Sequence, residues 1–302
     1  MNRRTRPATL RFYKEGLLRV MVHIQQHLDE PLPWQDLAHL ACLSPYHFHH
    51  IFTGMTGESL SGHIRRLRLE RAATRLKLSS DPIVDIAFEA GYANHESFTR
   101  AFHAAFGVSP TLFRRSRRVH VEIRAPSGIH YQNQEYPTDF RSVRSKPMKV
   151  TIKHLSPMRV AFMRHIGPYS EVGRTWDEFM MWLGKEGFLG GDVQFIGICH
   201  DDPAVTPVGR IRYDACVTVD GAFRPQGAIG AQVIAGGEYA VLTHFGPYEG
   251  LGGSYARLLG QWLPRSGRCV RALPSFEVYF NSPENTAPAD LVTDLHVPLE
   301  AP

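Results

Sequence analysis

The chain repeats itself twice, with a different unit each time, and such a sequence must fold as two distinct halves. In the first half Asp36-Leu37-Ala38 is followed by Phe48, Phe52 and Gly57, and Asp85-Ile86-Ala87 by Phe98, Phe102 and Gly107. The Asp-to-Phe distance is 12 residues in one copy and 13 in the other; Phe-to-Phe is four in both and Phe-to-Gly five in both. In the second half His165-Ile166-Gly167-Pro168-Tyr169 returns 79 residues later as His244-Phe245-Gly246-Pro247-Tyr248. With 302 residues, each half is long enough to bury its own core.

The first unit predicts a short helix, a turn and a second helix, twice over. In the first copy Ser44-Pro45 supplies an N-cap and a proline at the first helical position. Helical spacing then puts Phe48, Ile51, Phe52 and Met55 on one stripe and Tyr46, His49, His50 and Thr53 on the other. In the second copy Asn94 is the N-cap, Phe98, Ala101, Phe102 and Ala105 form the inner stripe, and Glu96, Thr99, Arg100 and His103 the outer one. Each second helix is thus held down by phenylalanines with a polar face left free. Between the copies a helix from Ser59 to about Leu78 is expected, with Leu60, Ile64, Leu67 and Leu76 buried. At ~30 Å it matches the ~34 Å repeat of duplex DNA. It also carries Arg65, Arg66, Arg68, Arg71 and Arg75, some of which are expected to face phosphates.

Charge agrees with that division. Residues 1–125 hold 18 Lys+Arg against 11 Asp+Glu, the remainder 16 against 18, so only the first half suits a polyanion. Hydrophobic residues at 43% and charged ones at 21% predict a soluble globular chain. No apolar run is long enough for a membrane span, and the basic start, MNRRTRPATLR, lacks a secretory apolar core. Cys42, Cys199, Cys216 and Cys269 form no C-x-x-C pair, which speaks against a disulfide framework or zinc site and for the cytoplasm. His23 and His27 have helical metal-pair spacing, and Tyr46-His47-Phe48-His49-His50 is histidine-rich, but no cysteine or carboxylate completes a shell. No metal or cofactor is expected.

The first half resembles the AraC/XylS transcription regulators. The resemblance is carried by Gly91-Tyr92, Phe98-Thr99-Arg100-Ala101-Phe102, Phe106-Gly107-Val108-Ser109-Pro110 and Phe113-Arg114, and extends over roughly residues 15–117. It implies an all-α domain with two helix-turn-helix motifs on one long helix, binding adjacent major grooves of double-stranded DNA, with RNA polymerase as a partner. Base-facing residues, by the same resemblance, are Tyr46, His49 and His50, then His95, Glu96, Thr99 and Arg100. The sequence departs at His50, where relatives often carry arginine. Arg100 keeps the guanidinium that reads guanine in a bidentate contact.

Domain boundaries are expected as a basic tail at 1–14, the DNA-binding domain at 15–119, a linker at 120–147 and a second domain at 148–302. The linker carries Pro126-Ser127-Gly128, Pro137 and Pro147, and Val119 to Ile123 alternates as a strand would. In the second domain each copy reads strand, turn, helix, strand, strand. Trp176, Phe179 and Trp182 mark one helix; Tyr255, Leu258, Leu259 and Trp262 mark the other. Two such halves, each with an open sheet face, predict an α+β domain of two pseudo-symmetric repeats with a cleft between them. Where the copies differ, Gly197 stands against Glu277. Alternation puts Phe276, Val278 and Phe280 on one face, expected to meet the helices, and Glu277 and Tyr279 on the cleft side. A carboxylate among aromatics calls for a cation; the alternative is an edge-strand glutamate in water.

This half resembles the GyrI-like effector-binding domain, through the two Gly-Pro-Tyr turns, Ile-Gly-Ile-Cys-His-Asp-Asp-Pro and the ending Asp294-Leu295-His296-Val297-Pro298. The resemblance implies a site for hydrophobic or cationic small molecules anchored by Glu277 and lined by Tyr279, Trp176, Tyr213, Tyr248 and Trp262. The domain order is similar to the Rob subgroup. The function expected is a ligand-modulated transcription regulator, by family habit an activator, and not an enzyme. Two alternatives are a second domain that contacts a protein, or a hydrolase using Glu277 with Tyr279.

Overall fold

The computed structural model describes residues 6–117, 120–133, 135–144, 147–190, 192–201, 203 and 206–301. They form two compact units, a helical one of Arg11–Leu43 and Phe52–Arg144 and one built on a sheet, to which residues 6–10 and Ser44–Ile51 also belong.

Helix α1 (Arg6–Gln26) begins inside the stretch expected to be a tail. The reason is an apolar stripe, Tyr13, Leu17, Val20, Met21 and Ile24, spaced three to four residues apart and fully buried. Helices α2 (Trp34–Leu40) and α3 (Pro45–Thr56) form the first helix–turn–helix, and α5 (Ile83–Glu89) and α6 (His95–Phe106) the second. The two turns are built alike. Leu43 N–H donates to Ala38 O at 3.0 Å in one, and Tyr92 N–H to Ala87 O at 3.1 Å in the other. Each needs a left-handed residue just past the helix, supplied by Gly91 (φ 80°) in the second turn and by Cys42 (φ 57°), without glycine's freedom, in the first. Asn94 caps α6 as expected, its side chain accepting from Ser97 N–H at 2.8 Å. The Ser44 hydroxyl, by contrast, is buried without a hydrogen-bond partner, so the first turn of α3 relies on Pro45.

Helix α4 (Leu60–Leu78) joins the two motifs and is capped by the Ser59 side chain. Its 19 residues span about 28 Å. Leu60, Leu67 and Leu76 are buried and Ile64 is half-buried. Leu69, Ala72, Ala73 and Leu76 meet Phe98, Phe102, Phe106 and the Phe113 of α7 (Pro110–Arg115) in one apolar cluster. No strand forms at 120–123, and Val119 lies outside the described residues. The Ile123 N–H is taken by the Glu70 carboxylate instead.

The second unit contains β1 (Thr151–Leu155), β2 (Met158–Ile166), α8 (Val172–Lys185), β3 (Phe195–Cys199), β4 (Arg212–Thr218), β5 (Ile229–Ile234), β6 (Gly237–Phe245), α9 (Leu251–Arg257), α10 (Leu263–Ser266), β7 (Phe276–Tyr279) and β8 (Val292–Pro298). A π-helical turn, Leu258–Trp262, joins α9 to α10. The strands do not make two sheets facing across a cleft. They form one antiparallel sheet in the order β1-β6-β8-β7-β3-β4-β2-β5, joined at its middle by β3 pairing with β7. Strand β5 is at one edge and β6 next to the other, yet only Ala235-Gly236 separates them. Two residues reach about 10 Å at most, so the sheet curls until its ends approach. Its inner face then closes on strand residues, including Ile196, Ile234, Tyr239, Phe276 and Val278. Helix α8 lies on the outer face, where Phe179 and Leu183 pack on Ala161, Tyr213, Ala215 and Val217.

Candidate functional site

The curl reverses the expected facing of β7. Phe276 and Val278 turn to the strand-only interior, while Glu277 and Tyr279 share the outer face with the helices. Phe280, placed by alternation on the same face as the first pair, lies past the strand end and is 62% exposed. Glu277 is neither at an edge nor in water: β7 pairs on both sides, and the residue is 4% exposed.

A relay of hydrogen bonds leads to this carboxyl. Trp176 Nε1–H donates to Tyr213 Oη at 3.1 Å, and Tyr213 lies 3.0 Å from Tyr279 Oη. Tyr279 donates to Glu277 Oε2 at 2.5 Å, so the proton between the tyrosines comes from Tyr213. The Cys199 thiol lies 3.6 Å from Glu277 Oε1. Around the relay, Tyr169 stands edge-on to Tyr213 with centroids 5.9 Å apart, Trp176 edge-on to Tyr279 at 6.0 Å, and Tyr248 tilted against Tyr279 at 5.5 Å. Register explains the room. Gly197 pairs with Glu277, and a Cβ there would come within 2.4 Å of both the Tyr213 and Tyr279 hydroxyls.

Burial pushes the Glu277 carboxyl above the usual carboxylate range, against the opposing pull of hydrogen bonds from Tyr279 and Cys199. Burial first, and the nearby Glu277 second, raises the phenols of Tyr213, Tyr248, Tyr255 and Tyr279. The buried Tyr255 hydroxyl also faces Glu277 and adds to the pull on its carboxyl. The arrangement is a weakly acidic carboxyl ringed by neutral aromatic alcohols. It favours a group that brings positive charge on a flat or apolar body.

Five residues named from sequence, Glu277, Tyr279, Trp176, Tyr213 and Tyr248, are thus brought together; Trp262, half-buried in the π-helical turn, is not a member of the relay. Tyr169 and Cys199 were missed. Alternation along β3 from Gly197 points to Cys199, and Tyr169 occupies the turn position equivalent to Tyr248. The repeated turns themselves are clamped by histidine. His165 and His244 each donate through Nε2 to a proline carbonyl, of Pro168 and Pro247, at 3.1 Å. Their Nδ1 atoms accept from Thr175 at 3.1 Å and Ser254 at 2.9 Å.

On α6, His95, Glu96 and Arg100 are exposed, whereas Thr99 is half-buried with its hydroxyl covered. On α3, Phe48, Ile51, Phe52 and Met55 are fully buried. Tyr46 is 40% exposed, His50 half-buried and His49 only 7% exposed. The α4 arginines do not stand free for phosphates, Arg65 excepted. Arg66 binds Glu58 and Glu70, Arg68 the carbonyls of Leu28 and Glu30, Arg71 Asp29 and the Glu89 carbonyl, and Arg75 Asp81 and Glu89. Each carries an acid or a helix end within reach, which the charge pattern alone did not show.

Paired helix–turn–helix motifs ahead of a curled sheet with an acidic aromatic site define a chain of regulator type. Residues 37–116 match a helix-turn-helix domain and residues 148–300 the GyrI-like small molecule binding domain. The Right origin-binding protein of Escherichia coli (strain K12) is 36% identical over 102 residues, 33% of this chain and 35% of that protein. The probable transcriptional regulator YgiV of the same strain is 32% identical over 155 residues, 50% of this chain and 96% of that one. A crystal structure of the EcmrR C-terminal domain aligns at a TM-score of 0.42 with 21% identity, covering 51% of this chain and 99% of that one. The chain belongs to the AraC-type helix-turn-helix regulators that carry a GyrI-like small-molecule-binding domain. It spans about a third of the length of the first of these relatives. Among the described residues no helix is long and apolar enough to cross a membrane.

Proposed function

We propose that this chain is a transcription regulator that reads double-stranded DNA with α3 and α6 and is modulated by a hydrophobic or cationic small molecule at Glu277. The observation that carries the ligand half is the buried Glu277 carboxyl at the end of the Trp176–Tyr213–Tyr279 relay. A cation entering there draws the proton off the carboxyl, so ligand charge and the Glu277 charge appear together. Tyr248 and Trp262 complete the lining in this reading.

For DNA, Arg100, Glu96 and His95 stand ready on the outer face of α6, with Thr99 beside them. In the first motif Tyr46 leads, and His49 and His50 take part once their face is bared to the groove. The domain boundaries near 119 and 148 and the pairing of the sheet from two pseudo-symmetric strand-helix-strand-strand repeats belong to the same reading, as does activation through RNA polymerase in the cytoplasm. In this reading Glu277 acts as a binding group rather than a hydrolytic base, its Oε2 already engaged by the Tyr279 hydroxyl.

The test is a thermal-shift screen of the full chain against lipophilic aromatic cations and neutral analogues of the same shape. Stabilisation by the cations, lost in Glu277→Gln, supports the reading; equal shifts for cation and neutral analogue refute it. A protein-contact role for the second unit has one observation in its favour. Phe245 and Phe280 are 71% and 62% exposed and flank Val292, with which Phe245 pairs and to whose carbonyl Phe280 donates.

A further inference from the structure

The segment expected to be a partly structured linker is bolted to the reader. Glu70, on α4 and 1% exposed, is the bolt. Its Oε1 accepts from Ile123 N–H at 2.9 Å and Arg66 Nη1 at 3.2 Å and lies 3.1 Å from His130 Nδ1; its Oε2 accepts from Tyr131 N–H at 2.8 Å. Arg66 Nη1 also donates to Ile129 O at 2.8 Å, while its other nitrogens hold Glu58. From α1, Gln25 donates to His130 O and accepts from Gln132 N–H, both at 3.3 Å. Backbone groups at Ile123, Ile129, His130, Tyr131 and Gln132 are thus each met by a side chain of the helices, which a passive tether does not need.

The two ends of the segment reach different motifs. Val121 and Ile123 pack on the phenylalanine cluster beneath α6. At the other end Val143 N–H donates to Met55 O at the close of α3, at 2.8 Å. Pro126 and Val143 cover Gly57, the residue after that helix, so closely that a Cβ would fall within 2.9 Å of Pro126. Ala125, Ser127, Ile129 and Phe140 are buried between these ends.

We propose that residues 120–133 and 135–144 are a brace that fixes the separation of the two reading helices, and that Glu70 is the positioning residue that locks it. This rests on the DNA-reading role proposed above. A rigid pair of readers binds both half-sites at the expense of one ordering event, whereas a loosened pair loses that advantage and tolerates other spacings.

The experiment uses the full chain. A duplex is selected from a random-sequence pool by the wild type, and derivatives are made with one base pair inserted or removed between the two contacted half-sites. Wild type should prefer the native spacing. Glu70→Ala should weaken native-spacing binding about tenfold while leaving the altered duplexes nearly unchanged, so the preference collapses. Glu70→Gln, which keeps an acceptor for Ile123 or Tyr131, should fall between. Gln25→Ala, a milder cut made from α1, should show the same trend if Glu70→Ala is poorly folded. Equal losses on all spacings, or an unchanged spacing preference in both Glu70→Ala and Gln25→Ala, overturn the brace. Failure of the wild type to enrich any sequence overturns the DNA-reading role itself.

Discussion

Replacing Glu277 by glutamine changes one atom and should raise stability at neutral pH. Because the folded carboxyl has a raised pKa, it stabilises the fold only while protonated. That contribution is whole below the ordinary carboxylate range and is lost as pH rises through the folded value. Glutamine keeps an oxygen to accept from Tyr279 and carries no charge to bury. Holding the proton on this carboxyl at neutral pH, or burying its charge, costs on the order of 1–3 kcal/mol. The substitution should therefore raise the melting temperature of the second unit by about 2–12 °C at pH 7, at roughly 2–4 °C per kcal/mol for a domain of this size. At pH 4 the two proteins should melt together. Differential scanning calorimetry of both chains from pH 4 to 8 decides it. A glutamine variant that melts lower than wild type at pH 7, or a difference that does not change with pH, would refute the reasoning.

Four further outcomes follow from the same geometry. Gly197→Ala drives a methyl into the two tyrosine hydroxyls and should cost ~1–3 kcal/mol in denaturant melts, with cation binding lost alongside. Arg100→Ala should weaken binding to a selected duplex by ~1–3 kcal/mol, measured by fluorescence anisotropy, and relax the preference for guanine at one position. Cys42→Gly relieves the left-handed turn and should raise thermal stability by about 0.5–1 kcal/mol, with DNA affinity unchanged. Burial works to raise the Glu58 carboxyl, but hydrogen bonds from His63 and Arg66 outweigh it and hold it at about 2. Its stabilisation is therefore present above the ordinary carboxylate range and fades as pH falls toward 2; Glu58→Gln should remove that part of the acid transition in the helical circular-dichroism signal.

What the sequence shows depends on how local the cause is. The stripes of α3 and α6 are legible because helical spacing puts Phe48 and Phe52, and Phe98 and Phe102, on one side whatever the rest of the chain does. That Gly197 and Glu277 hold equivalent places in the two copies is legible in sequence; that they lie opposite one another in the sheet is not. Which face of β7 meets the helices is not, since that follows from the curl forced by the Ala235-Gly236 connection between distant strands. The α4 arginines look free in sequence because their partners lie elsewhere: Arg68 reaches 40 residues back to Leu28. Glu70 closes contacts 53 and 61 residues ahead, at Ile123 and Tyr131, and the proline-rich composition there hides them.

The most direct measurement is an equilibrium titration of the full chain with a pool-selected duplex, with and without a lipophilic aromatic cation, for wild type and Glu277→Gln. The account predicts that the cation shifts the DNA affinity of the wild type and leaves that of the variant unmoved, because a ligand alters DNA binding only through different affinities for the two states. A cation that binds the wild type without changing its DNA affinity, or that shifts both proteins equally, contradicts it.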